Sequence, residues 1–90
     1  MCTNSKSPSE IINIINEINS TPKIIDANKK IAIQNLQSAI YFPDNSKLAK
    51  SSMYFAAESN IRQDPEFIKA GINNKIADEI DSFIKQNIFL

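Results

Sequence analysis

The four prolines of this chain divide it into segments that each have the pattern of a helix. Proline has no backbone N–H and disfavours the helical conformation of the residue before it, so it marks helix starts and ends. Pro8, Pro22, Pro43 and Pro65 fall between runs of regularly spaced apolar residues. The chain also lacks valine and has no Asn-Gly or Asp-Gly turn, which disfavours strands. The pattern predicts an all-α fold.

The first segment has the features of a helix start. Residues 7–10 have the form of a capping box, in which Ser7 caps the helix and Glu10 stands three residues later. Isoleucines then follow at the spacing of one helix face, at Ile11, Ile14, Ile15 and Ile18. We expect this helix to end near Asn19, because Pro22 restricts the residue before it.

A second helix is predicted between the second and third prolines. It is expected to begin at residues 21–22, with Asp26 as a later alternative cap, and to end where Pro43 restricts Phe42. Its expected apolar stripe consists of Ile25, Ala32, Leu36, Ala39 and Ile40, with Ile33 beside it.

A third helix is predicted after a turn at residues 42–46. Asp44 or Asn45 is expected to cap it, and it should run from about Ser46 to Arg62. Its expected apolar face is thin and consists of Leu48, Ser52, Phe55, Ala56 and Ser59, with Met53 and Tyr54 beside it. The small residues would allow another helix to approach closely.

The last helix has the clearest amphipathic pattern in the chain. Asp64 and Pro65 repeat the arrangement of a cap followed by proline. The expected apolar face consists of Ile68, Ile72, Ile76, Ile80, Phe83, Ile84 and Ile88. Gly71 costs about 1 kcal/mol relative to alanine inside a helix. We favour one helix bent at Gly71 over a break into two.

These segments together predict one small domain. Residues 7–90 are expected to form a bundle of about four helices with short, proline-containing connections, and residues 1–6 a disordered tail. The apolar stripes account for most of the isoleucine content, because burying one isoleucine side chain contributes roughly 1.5–3 kcal/mol.

The composition disfavours an enzyme and a metal site. The chain has no histidine, one cysteine (Cys2) and one glycine, so it lacks an imidazole base, a zinc-ligand set and a glycine-rich phosphate loop. Carboxylates at positions 78, 79 and 81 are interpreted as a solvated surface balanced by neighbouring lysines. We expect no catalytic residue, no metal and no cofactor.

Charge also limits the classes of partner. Ten acidic residues balance ten basic ones, whereas nucleic-acid-binding domains usually carry a basic excess. A helix-turn-helix would have only Lys47, Lys50 and Arg62 as cations on its second helix, so a DNA-binding regulator is the weakest alternative.

No run reaches the roughly 18 apolar residues of a membrane span, and the first residues lack the apolar run of a secretory signal. The expected location is cytoplasmic.

Aromatic side chains are the candidate binding residues. Tyr41 and Phe42 end the second predicted helix, Tyr54 and Phe55 lie in the third, and Phe89 follows the last polar residue. We expect the two pairs to lie near one corner of the bundle, with one residue of each pair in the core. Aromatic residues are enriched at the anchors of interfaces.

The expected function is binding without catalysis. The favoured interpretation is protein–protein interaction, including self-association, of an immunity, inhibitor or regulatory type. The alternative is sequestration of a small ligand, in which Tyr41, Tyr54 and nearby lysines would hold a planar, nucleotide-like molecule between helices or subunits.

Two families share features with the chain. Its length and helix order are similar to those of small four-helix immunity proteins, which implies an inhibitor that occupies its target. Residues 42–45 (FPDN) and 80–89 (IDSFIKQNIF) resemble the turn between the helices and the final helix of type III secretion needle subunits. The break at Asp64 and Pro65 departs from the continuous second helix of that family. We assign the chain to neither family.

Overall fold

The computed structural model describes residues 9–87, and all regular secondary structure in that range is helical. The prediction of an all-α protein is therefore confirmed. The helices are α1 (Ser9–Asn19), α2 (Asp26–Tyr41), α3 (Lys47–Gln63), α4 (Pro65–Ala70) and α5 (Asn73–Asn87). Ser7 and Pro8 of the expected capping box, the tail 1–6, Ile88 and Phe89 lie outside the described residues.

The four longer helices pack around one core. α3 packs against α2 and α5, and α1 also packs against α2 and α5, so α1 and α3 lie diagonally across the bundle. The short α4 connects α3 to α5 and contacts both. Every longer helix contributes fully buried side chains, among them Ile11, Ile18, Leu36, Tyr54, Ile61, Ile76, Ile80 and Ile84.

α1 ends where the proline spacing predicts. Its last turn is completed by side chains of the connecting segment, because helix ends leave carbonyl oxygens without intrahelical partners. The Ser20 hydroxyl donates to the Asn16 carbonyl at 2.6 Å, and the Thr21 hydroxyl donates to the Glu17 carbonyl at 2.9 Å.

The predicted start of α2 is wrong. The helix begins at Asp26, and its N-cap is Ile25, which makes no side-chain capping bond. The side chain of Ile24, in the connecting segment, is instead buried in the core. Burial of this side chain keeps residues 21–25 out of helical geometry. Ile25 is exposed, contrary to the expected stripe, whereas the stripe's Ala32, Leu36 and Ala39 are buried. α2 ends at Tyr41 before an extended Phe42, as expected ahead of Pro43.

Of the caps predicted for α3 and α4, only the α4 cap agrees with the structure. The α3 cap is Ser46, whose hydroxyl accepts from the Ala49 N–H at 3.3 Å, and not Asp44 or Asn45. The α4 cap is Asp64, as predicted. Its carboxylate accepts from the Glu66 and Phe67 N–H groups at 2.8 and 3.3 Å.

The expected single bent helix after Pro65 is wrong, because Gly71 breaks it into α4 and α5. Gly71 adopts φ +78°, the left-handed conformation that ends many helices, and its N–H donates to the Ile68 carbonyl at 3.0 Å. The break lets α4 bury Phe67 while Ile68 is exposed. The expected face of α5 is confirmed at Ile76, Ile80, Phe83 and Ile84.

The break at Gly71 generates a stability prediction. A Cβ at this position would meet no atom within 4 Å, so Gly71→Ala should cost only backbone strain, about 1–2 kcal/mol. Gly71→Asn should cost less, because asparagine tolerates left-handed geometry better. Urea unfolding measures both effects as a lower midpoint at unchanged slope. An alanine variant as stable as the parent would contradict the break.

Candidate functional site

The rotation of α3 about its axis is set by Tyr54. Its ring and that of Phe83 on α5 pack edge to face, with centroids 5.3 Å apart and planes at 61°, and Tyr54 is only 1% exposed. Ser51, Ala57 and Ile61 lie on the same face and are also buried. Small residues at 51 and 57 leave room for the neighbouring helices to approach. The Ser51 hydroxyl is satisfied by the Leu48 carbonyl at 2.9 Å.

This rotation turns the expected apolar face of α3 outward, so that prediction is wrong. All five of its members, which we call the α3 outer face, are exposed: Leu48, Ser52, Phe55, Ala56 and Ser59. Leu48 is 75% exposed and Phe55 is 38% exposed. The sequence interpretation placed Leu48 in the core and so did not name it as a site residue. The signal that identifies the buried face is the run Tyr54, Ala57 and Ile61 at helical spacing.

Lys50 and Glu58 lie off the line of the outer face, whereas Arg62, seven residues after Phe55, continues that line in the last turn of α3. The Lys50 ammonium donates to the carbonyls of Ile40 and Phe42 at 2.9 and 2.6 Å and pairs with Asp44 at 3.0 Å. This arrangement joins the end of α2 to the start of α3. The outer face of α3 is therefore uncharged between its first and last turns.

At the other end of α3, Arg62 connects the helix to α5. Its guanidinium pairs with Glu58 at 2.8 Å and with Asp78 at 3.1 Å, and hydrogen bonds to these carboxylates raise the pKa of Arg62. Two of the three cations considered for DNA contact, Lys50 and Arg62, are thus held by groups of the protein itself. α3 presents no basic stripe of the kind that phosphate contacts need.

The aromatic candidates occupy different environments. Tyr41 is 83% exposed at the last position of α2, and Phe42, which follows it, is half-buried. Tyr54 lies in the core, so its side chain offers no accessible surface, whereas Phe55 is on the outer face. Phe89 lies outside the described residues. Tyr41 and Phe42 thus lie at the end of the bundle where α2 connects to α3. Phe55 lies near the middle of α3, about 12 Å along the helix axis from its first residue, and Tyr54 is buried.

A groove of about 360 Å³ lies between α1 and α5. It is lined by Glu10, Asn13, Ile14, Glu17, Glu79, Ser82, Phe83 and Gln86. The Lys75 ammonium donates to Glu17 and to Glu79, and these bonds raise the pKa of Lys75. Neither Tyr41 nor Tyr54 lines the groove. Three carboxylates against one nearby ammonium give no favourable site for a nucleotide phosphate.

Residues 9–87 contain neither a group of metal ligands nor a membrane-spanning helix. In that range no three His, Cys, Asp or Glu side chains are grouped to hold a metal ion. No helix of the same range combines the length and apolar character needed to cross a membrane.

Comparison with known proteins gives no relative: no family model, no curated protein and no solved structure matches the chain. The α3 outer face is therefore assessed on its own physical properties.

The burial of Tyr54 generates a pH prediction. Burial, with a smaller contribution from the charge of Asp44, raises the pKa of Tyr54 from 10.0 to about 12. In a Tyr41→Phe variant, which leaves Tyr54 as the one tyrosine, tyrosinate absorbance should rise with a midpoint near pH 12. A midpoint near pH 10 with the helical signal intact would show that Tyr54 is accessible.

The same shift affects stability. Below pH 10 the phenol is protonated in the folded and the unfolded chain, and between pH 10 and 12 only the unfolded chain loses the proton. The free energy of unfolding should therefore fall as pH rises through this window, by on the order of 2 kcal/mol. Tyr54→Phe is the control: its unfolding free energy, measured in urea, should depend less on pH than that of the parent.

Proposed function

We propose that the protein acts by binding another protein, including a second copy of itself, and that it catalyses no reaction. The observation that supports this proposal is the α3 outer face, where Leu48 is 75% exposed and Phe55, two helical turns later, is 38% exposed, with no charged side chain on the line between them. Single exposed apolar residues are ordinary, but a line of apolar and small residues without charge along one helix suits contact with another helix.

Tyr41 is a further exposed aromatic candidate and lies on α2. It stands 83% exposed at the end of α2, next to the connection that leads into α3. A tyrosine supplies a large contact area and a hydroxyl for one hydrogen bond at low conformational cost. We therefore assign Tyr41, Leu48 and Phe55 as the contact residues of the proposed interface.

The mechanism is occupation of a surface. The paired charges beside the outer face keep the free protein hydrated, and the apolar residues become buried when a partner binds. In the narrower form of the proposal, the protein is a cytoplasmic inhibitor or immunity protein that blocks its target by remaining bound to it. The support for this narrower form is the length and helix order of the chain, which are similar to those of small four-helix immunity proteins.

Self-association is tested with one surface variant and one matched control. Leu48→Gln should weaken the dimer about tenfold, because losing the burial of one exposed leucine removes about 1.4 kcal/mol. Ile12→Gln replaces an exposed residue of α1, diagonally across the bundle, and should leave association unchanged. Sedimentation equilibrium over a range of concentrations measures both.

Two results would count against the proposal. A parent protein that stays monomeric at millimolar concentration has no self-association of functional strength. A parent that associates, with Leu48→Gln and Ile12→Gln unchanged alike, does not use the α3 outer face. For a different protein as partner, the same two variants apply: the parent and Ile12→Gln should retain it and Leu48→Gln should lose it.

A further inference from the structure

We infer that a second copy of this chain binds the α3 outer face with its own α3, antiparallel, about a two-fold axis that passes between residues 53 and 54. This inference rests on the self-association in the proposed function and specifies its geometry. In a two-fold interface the same patch is used by both copies, so the patch must be complementary to itself.

The order of large and small side chains on the outer face meets that condition. Leu48, Ser52, Phe55 and Ser59 recur at alternating spacings of four and three residues, which places them along one line of the helix. Leu48 and Ser59 are equally distant from the proposed axis, and so are Ser52 and Phe55. Each large side chain therefore lies opposite a serine of the partner subunit.

A parallel pairing is less complementary. It would place Leu48 against Leu48 of the partner subunit and serine against serine, so that contacts between large residues alternate with gaps. Close packing requires large residues opposite small ones. Ser52, Ala56 and Ser59 also allow the helix axes to approach to the short end of the usual range, about 8 Å.

Charge favours the antiparallel arrangement as well. At the start of α3, Lys47 is exposed and Lys50 pairs with Asp44, so this end has one positive charge in excess. At the other end Arg62 pairs with both Glu58 and Asp78, which leaves one negative charge in excess. Antiparallel pairing brings these oppositely charged ends together at both ends of the contact, whereas parallel pairing would bring like charges together. Between these ends, the two helices bury no charged side chain of the outer face, so no charge is desolvated without a partner.

The contact is one helix wide, which limits its strength. Interfaces below about 1,200 Å² are typical of weak or transient association. The expected dimer therefore depends on concentration, and the monomer persists in dilute solution.

Single cysteines on α3 test the geometry. In a Cys2→Ser background, Ser52→Cys places two thiols about 4–5 Å apart along the helix direction, because residue 52 lies one and a half positions from the axis. Ser59→Cys is the matched control: it is also an exposed serine of the outer face, but its two copies would be about 16 Å apart along the helix direction. Mild oxidation should cross-link Ser52→Cys into a dimer, at a yield several-fold above that of Ser59→Cys.

The outcomes separate the inference from the proposed function. Equal cross-linking of both variants indicates parallel pairing and overturns the inference. If the Cys2→Ser parent associates in sedimentation but Ser52→Cys does not cross-link, the copies meet through another face, so the inference fails while the proposed function stands. A parent that remains monomeric at every concentration removes both the antiparallel dimer and the proposed self-association.

Discussion

The contact between Tyr54 and Phe83 determines which face of α3 is available to a partner. Phe55 is one residue further along, and a rotation of α3 that buried it would also carry Arg62, two turns later, toward the core. Arg62 is instead held at the edge by Glu58 and Asp78. Burying a guanidinium costs far more than exposing part of one phenylalanine. The core thus takes the tyrosine and leaves Leu48 and Phe55 outside.

The position of Phe83 depends in turn on how the chain reverses between α3 and α5. Asp64 caps α4, and both of its carboxylate oxygens accept from the Asn28 side chain at 3.0 Å, which joins this junction to the start of α2. Asn73, the first residue of α5, donates from its side chain to the Arg62 carbonyl at 2.9 Å. With Gly71 supplying the left-handed turn, these bonds direct α5 back along α3. Polar groups at one end of the bundle therefore help to align the aromatic contact.

The sequence predicts those elements that depend on local chemistry. The end of α1, the Asp64 cap and the buried face of α5 follow from proline geometry, capping and isoleucine spacing. The start of α2 depends on burial of Ile24 by the rest of the fold. The choice of which face of α3 is buried depends on the pairing of Arg62 with carboxylates, one of them on α5. Neither feature is therefore determined by local sequence alone. For the site, the sequence identifies Tyr41 and Phe55 as candidates by residue type. Packing decides which aromatic residue of the 54–55 pair faces outward. The exposure of Leu48, which makes it a candidate contact residue, is known only from the structure.

The α3 outer face combines two properties that usually oppose each other. Serine and alanine at positions 52, 56 and 59 keep its apolar area small, so an isolated copy exposes no broad hydrophobic patch. The same small residues allow a facing helix to come close enough for Leu48 and Phe55 to be buried. Larger residues there would strengthen contact but also promote nonspecific association, and charged residues would prevent both. The residue types of this face are therefore consistent with reversible, specific contact, in which shape contributes more than apolar area.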